Sequence, residues 1–468
     1  MTRSTAGTTT AWTALGGDPE LPERIVHDGP RNVLPSRLPV AELARSCVAV
    51  CALAAAEASA HRTGCPVPSV TVDDGAVAAA FVSERLLRID GRAPETFAPL
   101  SRFWHTADGT LRTHANYPHH RERLLAALGV PDGPGTAERV AAELAALPVR
   151  EAEQRIHAAD GLAVAVRTPQ QWSASAEGRA AASGPLVRIE RTEDGRAGTA
   201  PAPAGVAADP GRPAAGLRVL DLTRVLAGPV ATRTLALYGA DVLRIDSPRL
   251  PESADLHADT GFGKRSAVLD LGSRSGRATF DELLAAADVV VTGYRPGALD
   301  RHGLAPQELA ERRPGLVIAQ LSAWGSEGPW AGRRGFDSLV QAACGIAVVE
   351  RKPDGSPGAL PAQALDHGTG YLIAAAVLRM LTERTDFAGT LTARFALART
   401  AAWLTDELAP GTGPVEGDSP DPVHWTAETP GPLGTVRHAL PPARFDGSPQ
   451  DWATPPVPWG TSETTWRS

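Results

Sequence analysis

Lysine is almost absent from this chain: of 46 basic residues only Lys264 and Lys352 are lysines. With a formal net charge of −7 and no extended basic run, the composition excludes a nucleic-acid binder that works through bulk charge. Cysteine is scarce as well, and Cys47, Cys51, Cys65 and Cys344 lack CxxC spacing, which argues against a zinc ribbon or a disulfide framework and for a reducing cytoplasm. Cys47 and Cys51, four apart in an Ala-rich run, share a helix face and are expected in a core. No charged, apolar, small-residue leader precedes the first domain, and no apolar stretch of roughly 20 residues escapes polar interruption, so neither export nor a membrane span is expected. Nucleotide loops are missing too. The first strand-to-helix turn, "DLTRVLAGPVATRTL", carries neither GxGxxG nor GxxxxGK[ST], and no GxSxG elbow or HExxH occurs. A nicotinamide, ATP or serine-hydrolase enzyme is therefore not expected.

What is present reads as a two- or three-domain globular chain of 468 residues. Residues 217–405 alternate apolar strands ("LRVLDLT", "ADVLRIDS", "SAVLDL", "DVVVTGY", "GLVIAQLSAW") with amphipathic helices. That alternation predicts the α/β class: a parallel sheet with flanking helices, a Rossmann-like large domain, with ligands at the carboxyl ends of the strands. "TRVLAG", "DSPRL" and "GYRPG" lie at those ends. Residues 98–200 read as a smaller α+β domain and return segment, a hairpin leading into helices. Its His114, His119 and His120 have no Cys or carboxylate at regular spacing, so no metal site is expected. Residues 201–216, rich in Pro, Gly and Ala, read as a linker, and 406–468 as a Pro-rich wrapping segment. Residues 1–97 contain a faint repeat: "PVAELARSCVAVCALAAAEA" runs parallel to "PAQALDHGTGYLIAAAVLRML", each followed by a turn, a short strand and another helix. At the place of Asp366 the first copy has Ala44 or a neighbour, which predicts a degenerate N-terminal half contributing to the large domain.

Two stretches could carry chemistry. In "ALDHGTGYLIAAAVL" an acid stands before a long apolar helix; Asp366 is either an N-cap satisfying orphan amides or a nucleophile. "GFGKRSAVLDL" is either a solvated loop or a turn that presents cations and backbone donors to an anion.

Taken in order, "LRVLDLTRVLAGPVATRTLALYGADVLRID", "GKRSAVLDL", "ADVVVTGYRPGALDRHGL", "RPGLVIAQLSAWGSEGPW", "RRGFDSLVQAACG" and "ALDHGTGYLIAAAVL" resemble the family III CoA-transferases, the CaiB/BaiF type that includes formyl-CoA transferase and carnitine CoA-transferase. The resemblance covers about 217–405. It implies an acyl-CoA:carboxylate CoA-transferase with Asp366 as nucleophile, working through an aspartyl anhydride and an aspartyl-CoA thioester. It implies a CoA site lined by Val225, Leu226, Gly263, Lys264, Gly293, Tyr294, Arg295, Arg301, Arg334, Gly335, Phe336 and Asp337. Coenzyme A and acyl-CoA are then substrates with no permanently bound cofactor and no metal, the partners are an acyl-CoA and a carboxylic acid, and neither nucleic acid nor membrane is expected. A cytoplasmic homodimer, interlocked in this family, is implied as well. Asp366 is expected to stay ionised at neutral pH beside the helix N-terminus, and Gly368 and Gly370 to make room for the acyl group and offer backbone donors. His367 is expected at the surface or in a hydrogen bond. In the racemase branch a His pairs with the Asp; here Phe336 stands in its place, which disfavours two-base racemisation. An acyl-CoA isomerase, racemase or hydrolase on the same scaffold, or an inactive CoA-binding member, is the alternative. The chain departs from the family in placing its small domain before the sheet, in lacking the Gly-rich loop over the thioester, and in reading "GTLTARFAL" where Gly-Gln-x-Val-Asp-Val is usual.

Overall fold

The computed structural model describes residues 5–95, 97–193, 209–384, 387–409 and 420–467. Seven strands make the main sheet: β1 (Arg188–Glu193), β2 (Arg218–Leu222), β3 (Asp241–Asp246), β4 (Arg265–Val268), β5 (Val289–Thr292), β6 (Val317–Ser322) and β7 (Gly389–Ala396). They lie in the order β4-β3-β2-β5-β6-β7-β1. β2 through β7 pair in parallel, and β1 closes the edge antiparallel to β7. The run of valines in β5 is buried along its whole length, as a parallel strand covered on both faces requires. Strand order reverses between β2 and β5, and connections leaving in opposite directions open a crevice at the carboxyl ends there.

Three helices form the centre of the molecule: α1 (Val40–Thr63), α2 (Ala227–Leu237) and α3 (Ala364–Glu383). α3 packs against both of the others. Small residues allow this. A Cβ on Gly370 would lie 2.6 Å from the Ala227 carbonyl oxygen, so α2 and α3 meet at that distance only because the residue is glycine. α1 is apolar nearly all round because it is surrounded; by length and mean hydropathy it could cross a membrane, yet most of it is buried inside the protein.

The first copy of the repeat builds its own small sheet. Ile25–Asp28 runs parallel to Val70–Asp73, and Ala443–Phe445 adds an antiparallel third strand. The chain after residue 420 is more structured than a wrapping segment: Thr426–Gly431 and Gly434–Ala439 form a hairpin on Arg88–Ile89. Beyond it Trp452, Trp459 and Trp466 donate their indole N–H groups to the Arg233 carbonyl, the Asp246 carboxylate and the Leu283 carbonyl. The linker expected at 201–216 falls partly outside the described residues, at 201–208. The remainder, 209–216, is packed on α1, with Ser59 Oγ donating to the Pro210 carbonyl and Arg62 to those of Pro213 and Ala215.

Phe103–His105, Thr110–Thr113 and Ala163–Ala165 make a further antiparallel sheet, backed by helices Pro118–Leu128, Thr136–Ala145 and Val149–Ala158. Leu111, Leu124, Val140 and Ile156 give it a separate apolar cluster. Its Tyr117 hydroxyl reaches the Glu252 carboxylate at 2.5 Å and so ties it to the segment after β3.

Candidate active site

Asp366 is the third residue of α3, but it does not cap the helix. The carboxylate of Asp337, which opens a short helix of its own, accepts the backbone N–H groups of Leu365 and Asp366 at 2.9 and 3.0 Å. It also accepts the side-chain amide of Gln341. Capping from outside relieves the Asp366 carboxyl of any local duty, and no hydrogen bond to it occurs among the described residues. The residue is only 6% exposed, and what exposure it has opens into a cavity of about 710 Å³. Burial, followed by the neighbouring Asp337 and Glu84 carboxylates, pushes its pKa well above the usual carboxylate range. Burial also lifts Asp337 to about 6 against the bonds from its amide partners. The helix N-terminus, worth about 0.3–1 kcal/mol to an anion, does not overcome this. Against the expectation that the helix N-terminus favours the Asp366 anion, burial and the neighbouring Asp337 and Glu84 carboxylates push the other way.

The cavity lies at the carboxyl ends of β2, β3 and β5, where Leu222, Asp246 and Gly293 line it, and is walled on the far side by Tyr117, His119, His120 and the stretch 333–336. Of the residues singled out from the sequence, Val225, Gly293, Tyr294, Arg295, Arg301, Arg334, Gly335 and Phe336 line it together with Asp366. Arg123, Arg224, Arg249 and Arg333 bring further guanidinium groups to the same walls, which makes the crevice strongly cationic. Leu226 lines a smaller adjoining pocket instead, as does Asp337.

Gly263 and Lys264 do not reach the cavity. Lys264 is 3% exposed, and its ammonium donates to Asp221 at 3.0 Å, to Thr232 at 2.6 Å and to the Pro229 carbonyl at 2.9 Å. Burial draws its pKa down to about 8. It ties the end of β2 to α2, and no charge is left over for a ligand. Gly368 and Gly370 are corrected as well: both lie inside the regular helix, where amides donate to carbonyls four residues back, and their missing side chains admit α1 and α2.

Val225 has φ 70°, a left-handed conformation that costs a β-branched residue on the order of 1–3 kcal/mol. Its N–H is held by Glu252 Oε2 at 2.9 Å. The Glu252 side chain, fully buried, also accepts from the Tyr117 hydroxyl at 2.5 Å and from Arg244 at 3.2 Å. Arg244 draws its pKa below the usual range, so it is a fixed anion. Phe336 stacks on His114 with ring centroids 3.7 Å apart, and burial lowers His114 to about 3 and His120 to about 2, so both imidazoles are neutral. His367 faces away from the cavity: fully buried, its Nε2 lies 3.1 Å from Glu84 Oε2, and its ring stacks on Phe81. No group of three or more metal-ligating side chains occurs among the described residues. Sequence reasoning missed the capping role of Asp337, the Glu84–His367 pair and the Glu252 clamp. Only the first left a visible sign, an acid directly before the apolar run "SLVQAA".

Residues 214–437 match the model of CoA-transferase family III. The chain is 34% identical over 189 residues to a probable fatty acyl-CoA transferase of Mycobacterium tuberculosis, covering 38% of this chain and 48% of that protein. It is 35% identical over 180 residues to a formyl-CoA:oxalate CoA-transferase of Streptomyces coelicolor, covering 36% and 44%. A crystal structure of a CAIB/BAIF family protein from Brucella suis shares 28% identity over 43% of this chain and 60% of that one, with a TM-score of 0.38. The chain spans about half the length of the curated relatives it matches.

Proposed function

We propose, from the match of residues 214–437 to CoA-transferase family III, that the chain moves coenzyme A between carboxylic acids with Asp366 as the covalent carrier. One observation supports this above the rest: a buried carboxyl without a partner at the floor of an arginine-lined cavity of about 710 Å³, within the ~300–1,000 Å³ range of ligand pockets. The scaffold is a Rossmann-like large domain at 217–405, joined by the return strand Arg188–Glu193, with the small α+β unit that begins at residue 98 supplying the far wall of the cavity.

The Asp366 carboxylate attacks the thioester carbon of an acyl-CoA; the C–S bond breaks, CoA leaves as thiolate, and a mixed anhydride forms. The thiolate then attacks the Asp366 carbonyl, which releases the first acid as its carboxylate and leaves an aspartyl-CoA thioester. An acceptor carboxylate attacks that thioester and expels the thiolate, which attacks the acceptor's carbonyl to form the new acyl-CoA and regenerate Asp366. Charge is conserved at every step. Arg295, Arg301 and Arg334 hold the anionic CoA. Ala227, at the start of α2, lines the cavity, and first-turn amides with no intrahelical partner suit a developing oxyanion. Burial raises the cost of ionising Asp366 but makes the anion a stronger nucleophile once formed. Two-base racemisation is disfavoured, since Phe336 occupies the position of the second base and the imidazole stacked behind it, drawn down to about 3 by burial, is too weak a base to take that role.

The test is isotope exchange between a labelled free acid and its CoA ester. Asp366→Ala should lose on the order of 10³-fold or more in exchange rate while binding CoA within a few-fold of the wild-type chain. A variant that still exchanges removes Asp366 from the reaction.

A further inference from the structure

A second, smaller pocket reaches Asp366 from another direction. It measures about 50 Å³. Glu95 and Phe97 at its rim are exposed, whereas Glu84, His114, Asp337 and Asp366 at its inner end are buried. Val225, Phe336 and Asp366 line both pockets and form the partition between them. Resting on the transferase reading above, we infer that this small pocket is the acid-side subsite and that it takes short carboxylic acids carrying a single carboxylate.

Three observations carry this. An acyl group bonded to Asp366 must point its remaining substituent away from the attacking thiol. The thiol arm enters through the cationic cavity, so the small pocket is the space left for the acid's own chain. A volume of about 50 Å³ holds about three to five water-sized groups, enough for a short chain and not for a fatty one. The lining also offers no cation to a second carboxylate. Arg85 is the one basic residue among those that line it besides the neutral His114, and its Nε lies 3.4 Å from Glu84. Arg92, close by, is held on Asp255 at 2.6 Å. The other ionisable groups there are acids, so a dicarboxylate would bury a second charge unpaired among like charges. The large cavity, with its surplus of guanidinium groups, has the opposite character.

The experiment measures, on the full chain, isotope exchange by mass spectrometry for three matched pairs: acetate with acetyl-CoA, octanoate with octanoyl-CoA and succinate with succinyl-CoA. The acetate pair should exchange at least tenfold faster than either of the others. Phe97→Ala, which widens the mouth, should narrow the gap to octanoate, and Glu95→Arg should narrow the gap to succinate. Octanoate or succinate exchanging as fast as acetate in the unmodified chain overturns the subsite assignment and leaves the transferase reading intact. If no pair exchanges and no ester leaves an adduct on Asp366, the transferase reading falls and takes the subsite with it.

Discussion

The two copies of the helix–strand–helix unit fold alike and are equipped differently. In the first, α1 leads to Val70–Asp73 and then to the helix Asp74–Phe81; in the second, α3 leads to β7 and then to Leu397–Ala402. The first copy has its charges matched. Arg45 meets Asp74 at 2.6 Å, and the Asp73 carboxylate caps the following helix by accepting from the amides of Gly75 and Ala76. In the second copy Asp366 lies buried beside a cavity, next to Asp337 from the preceding short helix and with no cation paired to it among the described residues. The first strand joins a three-stranded sheet, while β7 joins the seven-stranded one whose strand ends build the crevice. One backbone pattern therefore serves as core when its charges are satisfied and, on the function proposed above, as a reactive site when one is left unsatisfied, at a cost in stability.

The comparison can be broken at the position in the first copy that corresponds to Asp366. Ala44 is completely buried and does not line the cavity that Asp366 opens into, so Ala44→Asp should destabilise the chain by about 3–5 kcal/mol in denaturant unfolding. It should create no second exchange activity; a tolerated, active Ala44→Asp would mean that the cavity is not what distinguishes the copies.

The second copy can be loosened from behind. Asp337→Ala removes the external cap of α3 and should cost about 1–2 kcal/mol. It should also slow exchange on the order of 10²-fold, because Asp366 loses the fixed start of its helix. Asp337→Asn, which keeps an accepting oxygen, should restore most of both, whereas a purely structural role would restore stability alone.

The smallest effect is a pH dependence with a definite sign. The Asp366 pKa in the folded chain lies well above its unfolded value, so the folded state binds the extra proton, and its stability falls as pH rises from about 4 through the folded pKa. Asp337, at about 6, acts in the same direction. Asp366→Asn removes the titrating group, so its melting temperature should match the wild-type chain near pH 4 and exceed it increasingly toward pH 8. A gap that shrinks with rising pH contradicts the burial described here.

Much of the scaffold was legible in the sequence because continuous apolar strands such as "DVVVT" and "VIAQL" can only be buried on both faces. The strand-end loops "TRVLAG" and "GYRPG" line the cavity for the same topological reason. What could not be read was charge pairing across distance. Lys264 looks free beside two glycines, yet its counter-ion, Asp221, lies 43 residues earlier in the sequence. Asp366 looks like an ordinary cap because the capping oxygen belongs to Asp337, 29 residues before it. The strained turn at Val225 depends on Glu252 and Tyr117, which no local motif connects.

The most direct test of the central claim is the intact mass of the chain after brief incubation with acetyl-CoA, followed by hydroxylamine or borohydride trapping and peptide mapping. The account predicts a modification confined to the peptide containing Asp366 and absent from Asp366→Ala. A chain that turns over acyl-CoA with acids yet carries no modification at Asp366, or carries it elsewhere, would contradict it.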